Sequence, residues 1–86
     1  MKAGTLDMHF VYVLKSTTDG RTYVGVSNNV DRRLKEHNRG IVDATKNRLP
    51  FQLISFFAFE NKGKAKDFER YLKSGSGRAF LSKRVL

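Results

Sequence analysis

The sequence predicts an α+β fold: a three-stranded antiparallel sheet flanked by helices, in the order β-β-α-β-α-α. Three observations carry this expectation. His9–Ser16 (HFVYVLKS) and Arg21–Val26 (RTYVGV) are rich in β-branched and aromatic residues and stand either side of an Asp19-Gly20 turn, the pattern of a β-hairpin. Two later segments carry apolar residues at helical spacing behind asparagines suited to N-capping. A third apolar run, Phe51–Phe59 (FQLISFFAF), falls between those segments and reads as a strand.

Taken in order, Met1–Met8 is a lead-in, and residues 9–86 form a single domain. The first strand is apolar on both faces, so it is expected inside the sheet or covered on both sides. A helix follows Asn28 and Asn29, either of which can cap it, and runs from about Val30 to Asn38, with Gly40 as its stop. Gly40–Pro50 is a loop bearing Lys46 and Arg48, and leads into the third strand. Asn61 caps a second helix over about Gly63–Lys73, ended before Gly75. Ser76 is the expected cap of a short final helix over Gly77–Arg84.

Eighty-six residues make one domain, and seven Phe with three Tyr provide core material for a chain of that length. With no Cys, disulfides and thiolate zinc sites are excluded. No apolar run approaches the roughly 18 residues of a membrane span, and Met1–Asp7 lacks the apolar stretch of a secretory signal. A cytoplasmic protein with no membrane partner is therefore expected. The net charge of +9 points to a polyanionic partner, most often nucleic acid. After Glu69 come Arg70, Lys73, Arg78, Lys83 and Arg84 with no acidic residue among them. A one-signed tail suits a phosphate backbone better than a mixed solvated face does. Lys46, Arg48, Lys73, Arg78, Lys83 and Arg84 are the candidate nucleic-acid contacts.

Three places fit poorly with a purely structural domain. Glu69 lies on the apolar stripe Ala65, Phe68, Leu72 of the second helix. A carboxylate there is costly unless paired or bound to a metal, and a plain alternative is a stripe-edge Glu bridged to a Lys. Arg33 and His37 are four residues apart and share a face beside the apolar seam of Val30 and Leu34. The plain alternative is an Arg stem lying across the core edge. Tyr23 and Gly25 point to one face of the second strand, and a Gly inside a strand marks a close approach by another backbone or a ligand. Here the plain alternative is cross-strand packing of Tyr12 on Tyr23. Together these places supply two phenols, a guanidinium, an imidazole and one carboxylate in a basic protein. No His/Cys zinc spacing, phosphate-cradling Gly-rich loop or serine triad competes with them.

On these residues the chain resembles the GIY-YIG nuclease superfamily, and in particular its short stand-alone bacterial branch. Phe10-Val11-Tyr12 stands where that family has its GIY tripeptide, and Tyr23-Val24-Gly25 is similar to its YIG. Asn28–Asn38 resembles the family's Arg helix and Phe68–Lys73 its Glu helix. Phe10 departs from the pattern at the first Gly. Val26 departs from the Lys of the excision-repair branch, which makes that branch the poorer match. The resemblance implies endonuclease-type phosphodiester hydrolysis with one Mg²⁺ or Mn²⁺ ion, on nucleic acid and expectedly DNA, by a monomer or weak dimer. Residue by residue, it implies Glu69 as the metal-binding carboxylate and Arg33 as the phosphate-stabilising guanidinium. Tyr23 is then the phenol that activates water, Tyr12 its supporting partner, and His37 the residue where relatives carry His or Tyr. The five are expected to converge on one concave surface of the sheet. A non-catalytic nucleic-acid-binding domain of the same fold, and a basic structural subunit of a ribonucleoprotein, are the alternatives.

Overall fold

The computed structural model describes residues 7–86, so Met1–Leu6 of the expected lead-in lie outside the described residues. The elements are β1 (His9–Ser16), β2 (Thr22–Ser27), α1 (Val30–Asn38), β3 (Phe51–Phe59), α2 (Lys62–Leu72) and α3 (Gly75–Arg84). Their order is the one expected. The strands form one antiparallel sheet in the order β2-β1-β3, so β1, apolar on both faces, is the central strand. Among the described residues, no helix is long and apolar enough to cross a membrane.

Side-chain alternation divides the core into two layers. Val11 and Val13 of β1 and Val24 of β2 pack against Ala65 and Leu72 of α2 and Leu81 of α3. Tyr12 and Leu14, on the opposite face, pack with Phe51, Tyr23 and the α1 residues Val30 and Leu34. β3 serves both layers by means of a bulge. Val11 and Val13 pair with Phe57 and Ser55, but Leu14 pairs with Leu53, so Ile54 is the extra residue. The bulge reverses side-chain parity: Phe57 and Phe59 join the α2 layer, while Phe51 joins the α1 layer.

Capping explains the helix bounds. Asn29 and Asn61 accept from the backbone N–H groups of Arg32 and Lys64 through their side chains, as expected. Gly40, at φ 77°, takes the left-handed conformation that ends α1. The third cap differs from the expectation. Ser74, and not Ser76, accepts from Gly77 N–H at 3.2 Å, and α3 begins at Gly75. The reason is steric. α3 turns back onto the end of α2 so closely that a Cβ on Gly77 would strike the Tyr71 carbonyl and come within 2.5 Å of Leu72 Cα. Gly75 is therefore the first helical residue and not a stop.

The 40–50 loop is fastened to the hairpin. Buried Ser16 donates to Arg48 O at 2.7 Å, and Thr18 Oγ1 donates to Leu49 O at 2.7 Å. Asn38 exchanges two hydrogen bonds with the Phe51 backbone, at 3.1 and 2.7 Å. This lashing presses one loop residue, Thr45, against α1.

Candidate active site at the edge of β2

Tyr12 is opposite Gly25 in the β1–β2 ladder, and Leu14 is opposite Tyr23. The two tyrosines therefore sit diagonally on the α1 face, with ring centroids 6.3 Å apart. Tyr12 lies across its strand partner. A Cβ on Gly25 would fall 2.6 Å from Tyr12 Cζ and nearer still to its hydroxyl. The close approach that Gly25 announces in the sequence is thus made by this phenol.

Tyr12 is 1% exposed and His37 fully buried. The Tyr12 hydroxyl is 2.9 Å from His37 Nε2, and His37 Nδ1 is 2.7 Å from Thr45 Oγ1. Tyr23 is half-buried, with its ring centroid 5.0 Å from that of His37. Arg33, one turn before His37 on α1, bonds Glu36 Oε1 through Nη1 at 2.9 Å. Glu36 is thus the residue that fixes the guanidinium.

The electrostatics follow from burial and from these neighbours. Burial pushes the Tyr12 phenol above its ordinary value; the Arg33 guanidinium beside it pulls it back only in part, and the charges of Tyr23 and Glu69 add to the rise. Burial lowers His37, and the Arg33 charge lowers it further against the opposing Glu36, so the imidazole is neutral near neutral pH. Arg33 is raised first by its bond to Glu36 and then by Tyr12. Glu36 is lowered by Arg33.

Glu69 requires a correction. The five residues do not share one surface of the sheet. Tyr12, Tyr23, Arg33 and His37 belong to the α1 layer, whereas Glu69 is carried by α2 on the opposite face. Its charge nevertheless acts on Tyr12. Glu69 also bonds Lys73 Nζ at 3.0 Å, the plain pairing that its place on the stripe allows. A groove of about 160 Å³ runs along the β2 edge, lined by Thr22, Tyr23, Leu72, Lys73 and Arg78 among others.

The candidate nucleic-acid contacts separate into two kinds. Lys73 and Arg78 line the groove beside Tyr23, and Lys83 and Arg84 are exposed in the last turn of α3. Lys46 is exposed beside Asp43. Arg48 is engaged with the hairpin: its Nε bonds Asp19 at 3.1 Å and its guanidinium lies 5.4 Å from the Phe51 ring centre. That clamp ties the loop to the hairpin. Thr45 was not legible as a site residue. Nothing distinguishes it from its polar neighbours in the run Asp43-Ala44-Thr45-Lys46-Asn47.

Comparison with known proteins finds matches along most of the chain. A family model described as the GIY-YIG catalytic domain matches residues 8–83. The chain is 42% identical over 67 residues to the UPF0213 protein CPE1444 of Clostridium perfringens, covering 77% of this chain and 71% of that protein. It is 39% identical over 71 residues to the UPF0213 protein BH0048 of Halalkalibacterium halodurans, covering 81% and 74%. The solution NMR structure of the UPF0213 protein BH0048 from Bacillus halodurans matches with a TM-score of 0.55 at 35% identity, over 88% of this chain and 83% of that one.

Proposed function

The chain belongs to the GIY-YIG catalytic-domain family, and on that premise we propose that it hydrolyses phosphodiester bonds of nucleic acid, with DNA as substrate, at the edge of β2. The observation that carries the proposal is the gathering of Tyr12, Tyr23, His37 and Arg33 in one layer, with the charge of Glu69 reaching Tyr12 from the other.

The donor set fits a weakly held divalent ion. Among the described residues no group of three or more His, Asp or Glu forms a metal cage, and a lone carboxylate leaves most coordination positions to water and substrate, as Mg²⁺ or Mn²⁺ accepts. Glu69 would hold it once Lys73 moves aside. When bound, such an ion supplies positive charge at a phosphoryl oxygen and at the leaving oxygen.

The chain's own groups do the rest. The Arg33 fork, anchored at one nitrogen by Glu36, offers its remaining N–H groups to the equatorial phosphate oxygens. Tyr23, the more exposed phenol, faces the groove shared with Lys73 and Arg78 and takes the role of activating water. Tyr12 and His37 form the buried support. Lys73, Arg78, Lys83 and Arg84 guide the phosphate backbone.

The Lys73–Glu69 ion pair is the one observation favouring a second reading, a nucleic-acid-binding module without catalysis. The test is a Mg²⁺-dependent cleavage screen over single-stranded, duplex, flapped and branched DNA, with Glu69→Ala alongside. Cleavage abolished by the substitution supports hydrolysis. Binding without cleavage on every substrate favours the module.

A further inference from the structure

The loop that carries Thr45 brings a hydroxyl to the back of the buried imidazole. Thr45 is 1% exposed and is held by the turns of its loop, with its N–H on Val42 O at 3.0 Å and its carbonyl accepting from Arg48 N–H at 2.9 Å. His37 is thereby engaged at both ring nitrogens, by Tyr12 at Nε2 and Thr45 at Nδ1.

A neutral imidazole has one N–H donor and one bare acceptor, so the row of three groups has two possible proton arrangements. In the first, Tyr12 donates to Nε2, Nδ1–H donates to Thr45, and Thr45 donates to Val42 O over a long 3.5 Å. In the second, Thr45 donates to Nδ1 and Nε2–H donates to Tyr12. The Tyr12 hydroxyl proton then loses His37 as its acceptor, and Arg33, the other group that bonds the phenol, only donates. An unpaired donor on a side chain this buried is costlier than one stretched hydrogen bond. The first arrangement is the stable one.

We infer that Thr45 is a positioning residue that fixes His37 as its Nδ1–H tautomer, so that Nε2 accepts the Tyr12 proton and the Tyr12 oxygen turns its lone pairs toward Arg33. The catalytic consequence rests on the hydrolytic reading above; the tautomer does not. With its proton directed inward, Tyr12 receives a donor at the site, the Arg33 guanidinium.

The experiment reads the ring directly. The full chain is labelled with ¹⁵N, and the His37 ring nitrogens are observed by long-range ¹H–¹⁵N correlation without metal or nucleic acid. Nδ1 should carry the proton and Nε2 should show as a bare acceptor. Thr45→Val keeps the shape without the hydroxyl and should move the ring toward Nε2–H, while Thr45→Ser should restore the parental pattern. On a cleaved substrate Thr45→Val should lower kcat by roughly 10–100-fold with KM little changed, the loss typical of removing an orienting partner, and Thr45→Ser should recover it. An Nε2–H ring in the unsubstituted protein overturns the inference and requires no variant to fold. So does a Thr45→Val ring that is unchanged, or one that switches tautomer while kcat stays parental. If the ring behaves as expected and even the unsubstituted protein cleaves nothing, the tautomer assignment stands and the hydrolytic reading falls.

Discussion

Replacing Gly25 by Ala tests the packing on which the site depends. The backbone offers no objection, because Gly25 is not among the glycines with positive φ. The obstacle is Tyr12: the new methyl group would fall 2.6 Å from its Cζ and 3.0 Å from its Cε2. The ring has nowhere to retreat, being 1% exposed and tied to His37 by its hydroxyl. Overpacking of this kind costs about 1–3 kcal/mol. Displacing the phenol also endangers a buried hydrogen bond, a further loss of about 0.5–1.5 kcal/mol. Against these stands the roughly 0.4–1 kcal/mol that Gly→Ala gains by restricting the unfolded chain. The net is a destabilisation of about 1–3 kcal/mol, and Tm should fall by roughly 4–8 °C for each kcal/mol in a domain this size. Thermal melts of Gly25→Ala in the parental and Tyr12→Leu backgrounds decide the matter. The cost should largely disappear once the phenol is gone. An equal cost in both backgrounds, or a parental Tm, refutes the steric account.

Further outcomes follow from the same geometry. Glu69→Gln should abolish cleavage yet change stability by only about 0.5 kcal/mol or less, because what it removes is an i,i+4 pair with half-exposed Lys73; parental cleavage would end the metal-site proposal. Arg33→Ala should slow cleavage by roughly 10²–10³-fold while leaving metal affinity intact, and a matching loss of Mn²⁺ binding by titration would count against the assigned role. His37 is depressed in the folded state, so below about 6.5 the unfolded chain takes up the proton first. The stability this contributes is complete above that pH and is lost as pH falls through the folded value; an NMR titration placing the His37 midpoint above about 6.5 contradicts it. Nucleic-acid affinity should fall steeply with salt, and less steeply in an Arg78→Gln, Lys83→Gln, Arg84→Gln variant, because each neutralised phosphate releases counterions; equal slopes in filter binding would remove these residues from the interface.

Local signals recovered most of the fold because they are local in cause. The Asp19-Gly20 turn, the Asn29 and Asn61 caps and the Gly40 stop depend on the few residues around them. The start of α3 was misplaced because the choice between Ser74 and Ser76 is settled by Gly77 pressing on the end of α2, a tertiary contact. The bulge at Ile54 was invisible for a similar reason: Phe51–Phe59 is apolar at nearly every position, so no alternation marks the reversal of parity. Within the site, Tyr12, Tyr23, Arg33, His37 and Glu69 stood out by type and spacing. Glu36 and Thr45 did not, and Lys73 stood out only as a basic residue and not as the partner of Glu69, because a pairing partner on an exposed helix or a polar loop is recognisable only once its neighbour is in place.

That Glu69 lies in the other layer changes how the site must be understood. Side chains from opposite faces of a sheet can approach one another only where the sheet ends, and β2 is an edge strand. Tyr12, however, is on the central strand β1, one strand away from that edge. What closes the distance is Gly25: with no side chain there, the phenol lies flat across β2 and carries its hydroxyl toward the edge. There it meets His37 and Arg33 from α1 and comes within reach of the Glu69 charge from α2. The absent side chain at Gly25 therefore joins the two layers electrostatically, and a residue that contributes no functional group of its own decides where the proposed chemistry can occur.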